Sequence, residues 1–96
     1  MLTAIVDYTK AIEINPNYAI AYNNRGLSKR NLKDYYGAIA DYTKAIELDP
    51  NFAFAYVNRG ISKENLWDLN GACADWKKAA KLGNADAAGW VANQCN

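Results

Sequence analysis

The chain of 96 residues contains no histidine. That removes the commonest general acid/base and the commonest metal ligand. Its two cysteines, Cys73 and Cys95, cannot build a disulfide framework or a four-ligand zinc site. An excess of one charge is also missing. Eleven basic against ten acidic residues leave a net charge of +1, so neither nucleic acid nor an anionic membrane is expected as a partner. No apolar run approaches the ~20 residues that cross a bilayer. The start, Met1 to Asp7, lacks a basic segment followed by an apolar one, so no signal peptide is read and the cytoplasm is the default compartment. There is no glycine-rich phosphate loop, nucleophile motif or C-x-x-C pair. The expectation is a protein without catalysis, metal or cofactor.

What is there is a repeat. Tyr8, Tyr42 and Trp76 are spaced 34 apart, as are Ala4, Ala38 and Ala72, and Asp7, Asp41 and Asp75. Pro16 and Pro50, Tyr22 and Tyr56, Arg25 and Arg59, and Gly26 and Gly60 keep the same interval of 34. Residues 19–52 and 53–86 share 18 identities in 34 positions, and 1–18 share 11 of 18 with 35–52. Such a period marks a stack of supersecondary units.

Each unit reads as two helices. Residues 19–32 place apolar or small side chains three and four apart. Lys33-Asp34-Tyr35 reads as a connector. A second helix, from about Tyr36 to Leu48, carries Ala38, Ile39, Tyr42, Ala45 and Ile46 on one stripe. Asp49-Pro50-Asn51 ends it, because proline cannot continue a helix. Pro50 can start the next helix, with Asp49 or Asn51 as cap. Gly83 reads as a left-handed helix stop. Gly26 and Gly60 each cost about 1 kcal/mol against alanine inside a helix, which makes sense where two helices cross closely.

The residues Tyr22, Gly26, Ala38, Tyr42, Ala45 and Pro50, with Tyr56, Gly60, Ala72, Trp76 and Ala79, resemble the tetratricopeptide repeat family over essentially the whole chain. The resemblance implies an all-α fold, a right-handed superhelical solenoid of six helices. It reads as a fragment: a half-repeat over 1–18 (second helix only), repeats at 19–52 and 53–84, and a capping helix in 85–96. Where the family has an apolar residue before the helix-one glycine and an aromatic before the helix-two aromatic, this chain has Arg25 and Arg59, and Asp41 and Asp75. Both replacements occur together, so salt bridges Arg25–Asp41 and Arg59–Asp75 are expected. Asp7/Lys10/Glu13, Asp41/Lys44/Glu47 and Asp75/Lys78 otherwise read as solvated stripes, not a catalytic carboxylate pair.

The resemblance further implies a scaffold for a protein or extended peptide, held by the first helices. Carried over, the groove residues are Ile20, Asn23, Asn24, Leu27, Arg30 and Asn31, then Phe54, Val57, Asn58, Ile61 and Glu64, with Ala88 and Val91 from the last helix. Asn24 and Asn58 suit a peptide backbone, and the apolar members suit side chains. Some members clamp a chaperone's terminal carboxylate with lysine, arginine and asparagine here. Val57 and Ala92 stand where polar or basic groups would help, so no carboxylate clamp is expected.

The ends suggest an alternative, a self-assembling module. Ile5, Tyr8 and Ile12 form part of an apolar stripe with no preceding helix. The last helix, about Asp86 to Cys95 and bearing Trp90, could complete it in another copy, with Asn93 facing Asp7. Such a heterologous contact gives rings or filaments. Exchange in a closed dimer, or a first helix that packs only on the next pair, are the other possibilities. Cys73 takes the place of Ile39, where a buried free thiol is the default. A Cys73–Cys95 disulfide stapling the cap, as similar C-terminal ends in the family imply, is the alternative.

Overall fold

In a computed structural model describing residues 2–95, every regular element among the described residues is a helix. They run α1 (Leu2–Ile14), α2 (Ala19–Asn31), α3 (Tyr35–Leu48), α4 (Ala53–Asn65), α5 (Leu69–Lys81) and α6 (Ala85–Gln94). The all-α solenoid is the architecture indicated by the repeat.

Two local devices set the turns. After α1 and α3, the side-chain oxygens of Asn15 and Asp49 accept the backbone N–H of Asn17 and Asn51 at 3.2 and 3.1 Å. Each pair brackets a proline that forbids helix continuation. Asp49 or Asn51 is expected to cap the next helix, with Pro50 at its start. Asp49 closes its own turn instead, and the cap position of α4 falls to neither of them but to Phe52, which makes no side-chain bond. Asp49 simply lies too far ahead of Ala53 to reach the first free amides.

The second device ends α2, α4 and α5. Lys33, Trp67 and Gly83 take positive φ values of 64°, 63° and 101°. The following amides of Asp34, Asp68 and Asn84 then reach back to the carbonyls of Lys29, Lys63 and Ala79 at 2.9, 2.9 and 3.0 Å. This is the Schellman closure, and Gly83 is the left-handed stop read from the sequence. The same three residues cap the next helix, accepting from Gly37, Gly71 and Ala87 amides at 3.0, 2.9 and 2.8 Å. Because Asp34 and Asn84 are caps, α3 and α6 each begin one residue earlier than expected, at Tyr35 and Ala85.

Successive helices pack on one another, and α2 also meets α4 directly. Glycine permits the closest crossings. A Cβ on Gly26 would lie 2.6 Å from a Tyr42 ring carbon, and one on Gly60 would lie 2.5 Å from Trp76 Nε1. Ala38, Ala45, Ala72 and Ala79 are fully buried around those rings. Trp76, with Val57, Ala72, Ala79 and Ala87, forms the core under α6, where Trp90 meets Trp76 edge to face at 5.2 Å. Removing roughly 200 Å² of tryptophan from water contributes about 5 kcal/mol before entropy is counted.

Charge joins the helices as well. Arg25 grips Asp41 through Nε and Nη2 at 2.8 and 2.7 Å, and Lys29 approaches the same carboxylate at 3.1 Å. Arg25 Nη1 also donates to Thr9 Oγ1 of α1 at 3.3 Å. Arg59 repeats the arrangement with Asp75 (2.9 and 2.7 Å), Lys63 (3.1 Å) and Thr43 (3.3 Å). Both expected salt bridges are therefore present, and each arginine ties three consecutive helices. The carboxylate raises the guanidinium pKa further, with desolvation opposing it. Asp41 and Asp75 are buried, so they leave the solvated stripes to which they were also assigned. Asp7, Lys10, Glu13, Lys44, Glu47 and Lys78 stay exposed.

Cys73 is not a free thiol. It is bonded to Cys95 with Cα atoms 5.6 Å apart, which pins the end of α6 to α5. A thiol facing inward on α5 and another at the end of the next helix meet because α6 folds back over α5.

Candidate binding groove

A residue on a first helix can face the core, the neighbouring first helix or the open inner side. The burial pattern separates these. Ile20 and Phe54 occupy the same repeat position and are 53% and 63% exposed. Asn24 and Asn58 follow one turn later, then Leu27 and Ile61 another turn on, and all four are half-buried. Arg30 and Glu64 come next, also half-buried. These partly exposed faces of α2 and α4 thus present rows in repeat register: apolar, amide, apolar, then a cation on α2 and an anion on α4.

Asn23 and Val57 do not belong to that surface. They are 6% and 7% exposed. Val57 sits in the core under α6, and Asn23 accepts a hydrogen bond from Asn58 Nδ2 at 3.0 Å. Both were expected to line the groove. Their shared repeat position is turned into the seam where first helices meet their neighbours, so neither is open to a ligand. Asn31 is exposed at the end of α2. On α6, Ala88 is exposed and Val91 packs against the core.

The inner face of α4 meets α6 at a cavity of about 300 Å³ lined by Ile61, Glu64, Trp76, Trp90 and Gln94. Gln94 was not among the expected residues, because nothing in the repeat marks it. Lys29 and Lys63 were missed as partners of the aspartates, although each follows its arginine by four residues and so shares its helix face.

The hydroxyl of Tyr42 is fully buried without a hydrogen bond, as are Ser62 Oγ and Trp76 Nε1. Burial pushes the Tyr42 phenol up to about 12, against smaller opposing effects of Arg30 and Ser62. No group of residues able to hold a metal occurs among the described residues.

The residues assigned to self-association are dispersed. Ile12 is buried in its own chain and Trp90 is packed on Trp76. Ile5 and Tyr8 are half-buried, while Asp7 and Asn93 are exposed. If α6 of one copy met α1 of another in repeat register, Gln94 would face Tyr8. That is the position where Gly26 and Gly60 face aromatic rings with no room for a Cβ. Asn93 would also bring no charge to Asp7. Completion in repeat register thus lacks both contacts that join α2 to α3 and α4 to α5.

Residues 19–52 match the family described as "Tetratricopeptide repeat", and residues 3–32 match "TPR repeat". No curated protein matches the chain. Among solved structures, the Arabidopsis OM64 TPR domain is 32% identical, with a TM-score of 0.88 over 93% of this chain and 75% of that one. The first TPR of Spaghetti (RPAP3), bound to the HSP90 peptide SRMEEVD, is 26% identical, with a TM-score of 0.87 over 93% of this chain and 72% of that one. The second TPR of Spaghetti, bound to the same peptide, is 31% identical, with a TM-score of 0.79 over 81% of this chain and 72% of that one.

Proposed function

The chain belongs to the tetratricopeptide repeat family, and from that premise we propose that it is a non-catalytic scaffold holding an extended peptide against α2, α4 and α6. The observation that carries this reading is the pair Ile20 and Phe54, apolar side chains left more than half exposed in repeat register beside Asn24 and Asn58. Two large apolar residues at one repeat position on one face offer an unfilled hydrophobic strip. Asparagine supplies both a donor and an acceptor, which suits the amides of an extended backbone. Similar structures that hold a peptide support the class of ligand. The inner faces lack the lysines of a carboxylate clamp: Lys29 and Lys63 are engaged with Asp41 and Asp75.

The test is selection from a phage-displayed library of random peptides, followed by calorimetry on an enriched peptide. Phe54→Ser and Ile20→Ser should each weaken binding by about tenfold, equivalent to ~1.4 kcal/mol. Circular dichroism should show unchanged helix content, since neither side chain is in the core. Failure of any peptide to enrich would remove the proposal. Light scattering across a range of protein concentrations addresses assembly. We expect the mass of one chain throughout, and a mass that climbs would restore the self-assembling alternative.

A further inference from the structure

We propose that the cavity between α4 and α6 is a subsite for a basic side chain, so that the peptide this groove takes carries a lysine or arginine at one fixed position. The inference rests on the groove reading and adds the chemistry of its ligand.

Three observations converge on a cation. The cavity, about 300 Å³, is lined by one carboxylate, Glu64, and no cationic residue. Glu64 is half-buried and forms no ion pair among the described residues, whereas Asp41 and Asp75 each hold two cations. The rest of the lining is Ile61, two tryptophans set edge to face at 5.2 Å, and the amide-bearing Gln94. A lysine or arginine side chain has an apolar stem and a charged tip. Its stem suits the indoles and Ile61, and aromatic faces attract the charge itself. Glu64 then supplies a charge-assisted hydrogen bond, which a guanidinium can make in two-pronged form. An acidic side chain would meet Glu64 with like charge, and an apolar one would bury a carboxylate without a partner.

Position points the same way. Arg30 holds the equivalent place on α2, so the sign of charge reverses from one first helix to the next. A ligand crossing both faces meets the acidic site only at the α6 end. The Cys73–Cys95 bond fixes the residue next to Gln94 to α5, so that wall of the cavity is anchored.

The experiment runs the same phage-displayed peptide selection in parallel on the wild-type chain, disulfide intact, and on Glu64→Gln. Glutamine keeps the shape and removes the charge, and circular dichroism checks the fold of both. Wild type should enrich peptides with lysine or arginine at one position, and Glu64→Gln should lose that preference while still enriching apolar peptides. For one wild-type peptide, Glu64→Gln and replacement of its basic residue by norleucine should each cost about tenfold in affinity. The two changes together should cost no more than either alone, since both remove the same contact. Peptides that enrich on wild type without a fixed basic position, or a preference that survives Glu64→Gln, would overturn the subsite and leave the groove standing. Enrichment on neither protein would overturn both.

Discussion

The same substitution, glycine to alanine, is expected to act with opposite sign at two helical positions. Gly89 lies inside α6 with nothing within 4 Å of where a Cβ would stand. Alanine there gains helix propensity of up to about 1 kcal/mol and loses nothing. Gly60 lies inside α4, and a Cβ there would lie 2.5 and 2.7 Å from two atoms of the Trp76 ring and 3.2 Å from the Ala72 carbonyl oxygen. The indole is 2% exposed and cannot retreat, and the carbonyl belongs to the backbone of α5. Overpacking of this kind costs about 1–3 kcal/mol, and contact on two sides argues for the upper end. Subtracting the propensity gain leaves a net loss of about 2 kcal/mol for Gly60→Ala. A domain of this size shifts by roughly 4–8 °C per kcal/mol. Thermal unfolding followed at the helical circular dichroism band, disulfide intact, should therefore raise Tm by about 5 °C for Gly89→Ala and lower it by about 10 °C for Gly60→Ala. Equal shifts of the same sign would refute the argument that close approach of α4 to α5 demands glycine.

Three further outcomes follow from the geometry. Trp67→Gly should stabilise the chain by about 0.5–1 kcal/mol in chemical unfolding, because Trp67 is 86% exposed and holds a positive φ that L side chains disfavour. Asp41→Asn should cost roughly 2 kcal/mol by the same assay, since it strands Arg25 and Lys29 around a nearly buried amide, whereas exposed Asp7→Asn should stay within about 0.5 kcal/mol. Tyr42, raised from 10.0 to about 12, should appear in an ultraviolet phenolate titration as an ionisation near 12 that Tyr42→Phe removes. The folded protein holds this proton more tightly than the unfolded chain, so its contribution to stability is complete below about pH 10 and declines as the pH rises toward 12.

The period of 34 made the helix pairs and the arginine–aspartate bridges legible in the sequence, because those features depend on residue identity at fixed spacing. The Gly83 stop was legible from glycine itself, at a place where the repeat is broken. The inner surface was only partly legible, because one turn of helix touches both the groove and the seam. Asn23 and Val57 were indistinguishable from Asn24 and Asn58 by spacing alone. What separates them is which side of α2 or α4 the neighbouring helix covers, and that is set by residues on the neighbouring helices, such as Asn58 against Asn23 and Ala87 beside Val57. The cap positions of Asp34 and Asn84 were written in the chain, with a small residue three positions later in each case, Gly37 and Ala87. The disulfide was not decidable, since a cysteine in place of Ile39's equivalent fits a buried thiol equally well. Only the fold-back of α6 brings its partner within reach.

Each arginine that ties three helices makes the unit of opening different from the unit of repetition. Arg25 holds α1 as well as α3, and Arg59 holds α3 as well as α5. A helix pair cannot swing away as a block, because its arginine is also bonded to the helix before it. Opening must proceed from an end, one helix at a time. The C-terminal end is cross-linked, while α1 has no such link and, among the described residues, accepts a 3.3 Å bond from Arg25 at Thr9 and packs by apolar contact. Amide protons of α1 should therefore exchange with solvent first, those of α6 later than a terminal helix ordinarily would, and reduction of the disulfide should bring the two ends level.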